Sequence, residues 1–258
     1  MSEPPELPPE LPPEPVAAGR PWGVWATIGW SVLIVIGSLF AQIVGGFIGG
    51  MIAVARGEKI DAASVASDGN ILALATCVSG IVALALTVFF AKLRRGIDLK
   101  TYLALRLPTK REFSRWFICL LLLVLATDAA SALLGRPIVP DFMIEIYQNS
   151  DWARPFLWLA VMVTAPLSEE FFFRGFLLAG LQQSRLGSVG TVLITSALWA
   201  AIHMQYDLYG ITVIFLGGLV LGFARVKTSS LWLCVMLHSL MNLIATIELL
   251  TYLSVVEK

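Results

Sequence analysis

Charge is scarce in this sequence. Of 258 residues, 14% are charged and 57% hydrophobic, where a soluble domain carries about 25% and about 45–50%. That shortage excludes an ordinary water-soluble domain and a disordered chain. An excess of one sign is missing too: 18 basic and 18 acidic residues cancel to a formal net charge of +0, so nothing favours a nucleic-acid partner. Cysteine is limited to Cys77, Cys119 and Cys234. No Cys-x-x-Cys spacing joins them, which excludes a disulfide framework or zinc knuckle and leaves three small buried hydrophobes.

What the chain has in quantity is uncharged length. Mean hydropathy is +0.81, and several stretches approach the roughly 20 residues that cross a bilayer as a helix. The sequence predicts an all-α, multi-pass transmembrane helical bundle of about seven spans, six to eight being compatible with the pattern. The spans are expected at 22–55, 71–91, 116–134, 155–181, 188–202, 209–224 and 229–250. Two overlapping Gly-x-x-x-Gly pairs, Gly45/Gly49 and Gly46/Gly50, suit the first span to close helix contact. Organisation is expected in three pieces: a Pro/Glu-rich disordered tail at 1–20, N-terminal transmembrane helices at 21–135, and a C-terminal bundle at 136–258. The tail repeats Glu-Leu-Pro-Pro and reads as extended, solvated chain, with neither the basic start nor the apolar core of a signal peptide. The terminal Val-Val-Glu-Lys lacks a prenylation box. Lys92, Arg94, Arg95, Lys100, Arg106, Lys110, Arg111 and Arg115, against Asp98 and Glu112, mark the loop between the second and third spans as cytoplasmic. The tail is then cytoplasmic, and Arg185, Arg225 and Lys227 fall on the same side.

An ionisable side chain inside a span is expensive and needs a reason. The fourth span holds Ser168-Glu169-Glu170-Phe171-Phe172-Phe173-Arg174. Glu170 and Arg174 are four apart and share a helix face, acid before base. Glu169 points about 100° away and lacks that partner. One carboxylate is held while the other is free to exchange protons, a division suited to general acid/base work. The two histidines of the chain both belong to apolar spans. His203 closes Trp199-Ala-Ala-Ile-His203, and His238 opens His238-Ser-Leu-Met-Asn242, which puts His238 and Asn242 on one face. Glu169, His203, His238 and Asn242 can gather round one water: a carboxylate and an imidazole deprotonate it, while a second imidazole and an amide hold an oxyanion. That chemistry is peptide hydrolysis within the membrane.

These three motifs, Glu-Glu-x-x-x-Arg, aromatic-x-x-x-His and His-x-x-x-Asn on successive helices, resemble the CAAX-prenyl-protease and bacteriocin-processing family of intramembrane endopeptidases. The resemblance covers about residues 155–245, with Trp199 standing where the family usually has Phe. It implies that Glu169 and His203 activate the water, that Glu170 and Arg174 support the site, and that His238 and Asn242 stabilise the oxyanion. It also implies a peptide or protein substrate, membrane-associated or lipidated, and, with the compact size, a bacterial inner membrane. Glutamate-type and metal-dependent chemistry both stay open; a zinc ion would take Glu169, His203 and His238, although the spacing is not His-Glu-x-x-His.

Plainer readings stand beside these. Glu170 and Arg174 serve equally as a structural ion pair, Asn242 as interhelical hydrogen-bond glue, and Asp128 as a structural carboxylate seeking a serine, histidine or water. Cys234, His238 and Asn242 form a thiol-peptidase-like stripe, but a straight helix offers no third group to orient it. A non-catalytic scaffold or immunity factor of the same fold is the alternative function, and a proton-coupled transporter a third, although no inverted repeat is visible. Straight spans also leave Glu169 and His203 mismatched in depth by roughly 13 Å. Pro166, with Ser168 as a possible cap, is the expected place for a kink that reduces this gap.

Overall fold

The computed structural model of the chain describes residues 19–59 and 68–256. The tail expected at 1–20 lies, but for its last two positions, outside them. Nine helices form among the described residues: α1 Val24–Ala55, α2 Gly69–Lys92, α3 Leu99–Leu103, α4 Lys110–Leu133, α5 Asp141–Gln148, α6 Arg154–Leu181, α7 Gly187–Ala201, α8 Leu208–Thr228 and α9 Leu231–Val256. Six of these are long and apolar enough to cross a membrane, and α7 is a shorter apolar helix. The chain is a multi-pass helical membrane protein, as its hydropathy predicts.

Local chemistry sets the ends. Asp68 caps α2 by accepting from the amides of Asn70 and Ile71, and Asp207 caps α8 through Gly210. Thr109 and Glu112 build a reciprocal capping box, so α4 starts at Lys110 rather than near 116. The α8 span is longer than the expected 209–224, because Arg225 and Lys227 ride in its last turn, where cations oppose the partial negative charge of the helix end. Ser229, in the left-handed region at φ 50°, stops it. The short helices α3 and α5 carry no spanning signal and escape a hydropathy reading.

Packing centres on α6, the most enclosed span, while α4 is the least. Phe171 and Phe176 of α6 join Ile34, Phe90, Tyr102, Leu103 and Leu231 in one buried cluster. Phe173, Leu177 and Leu181 join Leu120, Trp199, Leu221 and Leu237 in another. Small residues let the neighbours approach. A Cβ on Gly45 would fall 2.8 Å from the Ala75 backbone, and one on Gly49 3.1 Å from that of Ile71. One of the two glycine pairs therefore faces α2, whereas Gly50 faces open space.

The expected depth mismatch does not keep the two segments apart, because the indole of Trp199, four residues before His203, reaches Glu169. The α7 helix has 15 residues, about 22 Å at 1.5 Å per residue, and so falls short of a ~30 Å hydrocarbon core. Pro166 does not break α6 either. The helix widens to π-type turns at Ala160–Thr164 and again at Phe171–Leu177, and runs on. Ser168 is no cap: its hydroxyl donates to the carbonyls of Thr164 and Ala165 at 2.8 and 3.2 Å.

Candidate active site

The two adjacent carboxylates of α6 face different surroundings, as their 100° separation requires. Glu170 is fully buried together with Arg174; Arg174 Nη1 donates to Glu170 Oε1 at 2.8 Å. The same oxygen lies 2.9 Å from Nδ1 of His238 on α9. Arg174 Nη2 donates to the Gly218 carbonyl of α8 at 3.2 Å. One buried acid thus ties α6 to α9, and its cation ties α6 to α8.

Glu169 turns instead to a cavity of about 1350 Å³ that is also lined by Trp199, His203, Tyr206, His238 and Asn242. Trp199 Nε1 of α7 donates to Glu169 Oε2 at 2.5 Å. Both imidazole rings stand edge-on to that indole, with centroids 5.3 Å (His203) and 5.2 Å (His238) away. His203 Nδ1 lies 2.8 Å from the Trp199 carbonyl. A carbonyl only accepts, so Nδ1 carries the hydrogen and the neutral ring keeps its lone pair on Nε2. Four groups, one from α6, two from α9 and His203 from the turn that follows α7, therefore line one compartment, assembled round a tryptophan.

Asn242 has a structural partner. Its Nδ2 donates to the Val161 carbonyl at 2.8 Å. In the widened turn Ala165 N–H reaches back five residues to Ala160. The next such donor would be Pro166, which has no N–H, so Val161 would otherwise lose its partner. The glue reading of Asn242 thus has a specific cause, and since an amide nitrogen carries two hydrogens, one is left over.

Other sequence expectations sort themselves spatially. Cys234 is fully buried, and its thiol donates to the Leu221 carbonyl at 3.3 Å; it is absent from the cavity lining, and the thiol stripe dissolves. Asp128 lines the cavity from α4, as Glu248 does from α9. No group of three His, Cys, Asp or Glu side chains among the described residues converges as metal ligands. Glu169, His203 and His238 therefore do not fit a zinc ion as a set, and no step below runs through one.

Two residues escaped the sequence reading. Trp199 looked like an aromatic replacement, although an apolar span burying an indole N–H has to supply an acceptor. Tyr206, in the loop before α8, leaves no mark in the hydropathy. Burial, and then the charge of Glu169, push its hydroxyl up to about 12.

Residues 151–244 match the family model Rce1-like, described as type II CAAX prenyl endopeptidase. Glu169, Glu170, Arg174, His203, His238 and Asn242 all lie inside that stretch. An uncharacterised 24.3 kDa protein of Escherichia coli is 38% identical over 108 residues, covering 41% of this chain and 49% of that protein. The chain thus spans about half the length of the curated relative it matches. No solved structure matches. Over residues 151–244, where two carboxylates, two imidazoles and an amide are brought to one centre, this chain is similar to the Rce1-like family of type II CAAX prenyl endopeptidases.

Proposed function

We propose that the protein is an intramembrane endopeptidase that hydrolyses a peptide bond in a membrane-associated or lipidated protein or peptide. The observation that carries this reading is the division between the two neighbouring acids: Glu170 is held by Arg174 and His238, while Glu169 opens on the cavity shared with both imidazoles.

In the proposed reaction a water between Glu169 and His203 loses a proton to Glu169 Oε1 or His203 Nε2, the atoms left free by Trp199. Its oxygen bonds to the carbonyl carbon, and the carbonyl π pair moves onto oxygen. With Nδ1 turned to Glu170, His238 faces the oxyanion through Nε2, and when that atom carries a hydrogen it donates together with the second Nδ2 hydrogen of Asn242. Collapse breaks the C–N bond, and the captured proton passes to the leaving amine. The Glu170–Arg174 pair orients His238 in the way a buried acid orients an imidazole in other hydrolases. The reaction needs no metal in this scheme, so turnover is expected to persist in chelator; inhibition reversed by zinc would restore the metal reading. The amino-terminal tail is placed in the cytoplasm, and the membrane is proposed to be a bacterial inner one.

The test is mass spectrometry of candidate membrane peptides incubated with detergent-purified wild type and with Glu169→Gln, His203→Ala and His238→Ala. Wild type should release fragments. Each variant should lose at least 100-fold in rate, within the 10²–10⁴ typical of general acid–base groups. Equal turnover in all three would leave a non-catalytic scaffold or immunity factor as the better description.

A further inference from the structure

We propose that Trp199 is a positioning residue of this site, whose indole N–H fixes one oxygen of Glu169 so that the other faces the reacting water. The inference rests on the peptidase reading for its catalytic consequence, but not for the contact itself.

The indole nitrogen is a donor only. It can neither take the proton of Glu169 nor replace it as a base. Trp199 is 1% exposed, and its N–H ends 2.5 Å from Oε2 of Glu169. A buried donor left unpaired there would carry its full desolvation penalty. The bond therefore satisfies the tryptophan and occupies half of the carboxylate, which leaves Oε1 as the free oxygen.

The ring has little freedom to release it. Arg174 stacks on one face with its guanidinium carbon 4.5 Å from the ring centroid, and the two imidazoles stand against it. Glycine makes the slot: a Cβ on Gly218 would lie 3.0 Å from Trp199 Cε3. The carbonyl of Trp199 itself accepts the hydrogen of His203 Nδ1. One residue thereby sets the carboxylate through its side chain and the tautomer of an imidazole through its carbonyl. Phenylalanine, which the resemblance leads one to expect at this position, fills the slot but has no N–H to give, so this control of Glu169 is a property of the tryptophan.

Two substitutions separate the donor from the ring. Trp199→Phe keeps an aromatic, and 3-benzothienylalanine at 199 keeps the full bicycle with sulfur in place of N–H. Hydrogen bonds to charged groups are worth about 1.5–3 kcal/mol. Each substitution should therefore lower kcat on a cleaved peptide by about 10-fold or more while KM stays within about twofold. Infrared difference spectra should show the carboxylate band that disappears in Glu169→Gln displaced in both variants. Wild-type kcat together with an unmoved band in the benzothienyl protein would overturn the proposal, whatever Trp199→Phe does to folding. The infrared arm needs no turnover. A displaced band in a protein that cleaves nothing supports the clamp and counts against the peptidase reading, whereas undiminished cleavage with an unmoved band sinks the clamp alone.

Discussion

Glu170 and Arg174 show how a buried charge is made tolerable. Each would be costly alone in the bundle; together with His238 and the Gly218 carbonyl they have partners on three helices. Removing one member leaves the other uncompensated, which typically costs about 3–5 kcal/mol. Arg174→Met should therefore lower the denaturant midpoint markedly, and more than Glu169→Gln does, since Glu169 faces the cavity; calorimetry or unfolding in mild detergent reads the difference. Tyr206 makes a pH prediction. Its hydroxyl is pushed from the ordinary value near 10 up to about 12, so between those values the unfolded chain releases a proton that the folded one retains. The folded state then loses stability as pH rises through that window. Thermal melts between pH 9 and 12 should decline less steeply in Tyr206→Phe than in wild type.

At the scale of elements, α6 carries the site because two widened turns flank the short α-helical stretch Ala165–Glu170 that bears both carboxylates. Insertions of this kind recur at functional sites because they re-aim side chains. Pro166 was legible as a disturbance. Its consequence was not, because Val161 and Asn242 are 81 positions apart and nothing local links them. The pair predicts a coupling. Asn242→Ala should cost about 1 kcal/mol by leaving the partly buried Val161 carbonyl without its partner, and less in a Pro166→Ala background, where residue 166 can donate its own N–H. Equal losses in both backgrounds would refute that account. The Glu170–Arg174 contact, by contrast, was readable from spacing alone, since positions i and i+4 are neighbours on any helix.

At the scale of the molecule, sidedness is a prediction of charge distribution. Basic residues cluster between α2 and α4 and at the end of α8, and on the positive-inside rule these ends stay cytoplasmic. In a cysteine-free background, Arg111→Cys should react with an impermeant thiol reagent only from the cytoplasmic side, and Asp141→Cys only from the other. The reverse pattern would invert the orientation and the face from which the cavity is reached. The cavity draws its walls from both halves of the chain, with Ile34 and Gln42 of α1, Thr127 of α4 and Asn242 of α9 all in its lining.

Composition and periodicity were enough to determine that the chain crosses a membrane as helices, roughly where each crossing lies, and which polar residues within the spans demand an explanation. Those features follow from short-range rules: a hydrocarbon layer tolerates only internally bonded backbone, and an ionisable group within it needs a partner. Which partner each group found was decided by tertiary structure alone. The hydrogen bond from Trp199 to Glu169 crosses 30 positions and that from His238 to Glu170 crosses 68. The short α7 and the glycines of α8 set those approaches through three-dimensional packing, and no period in the sequence encodes a distance between helices.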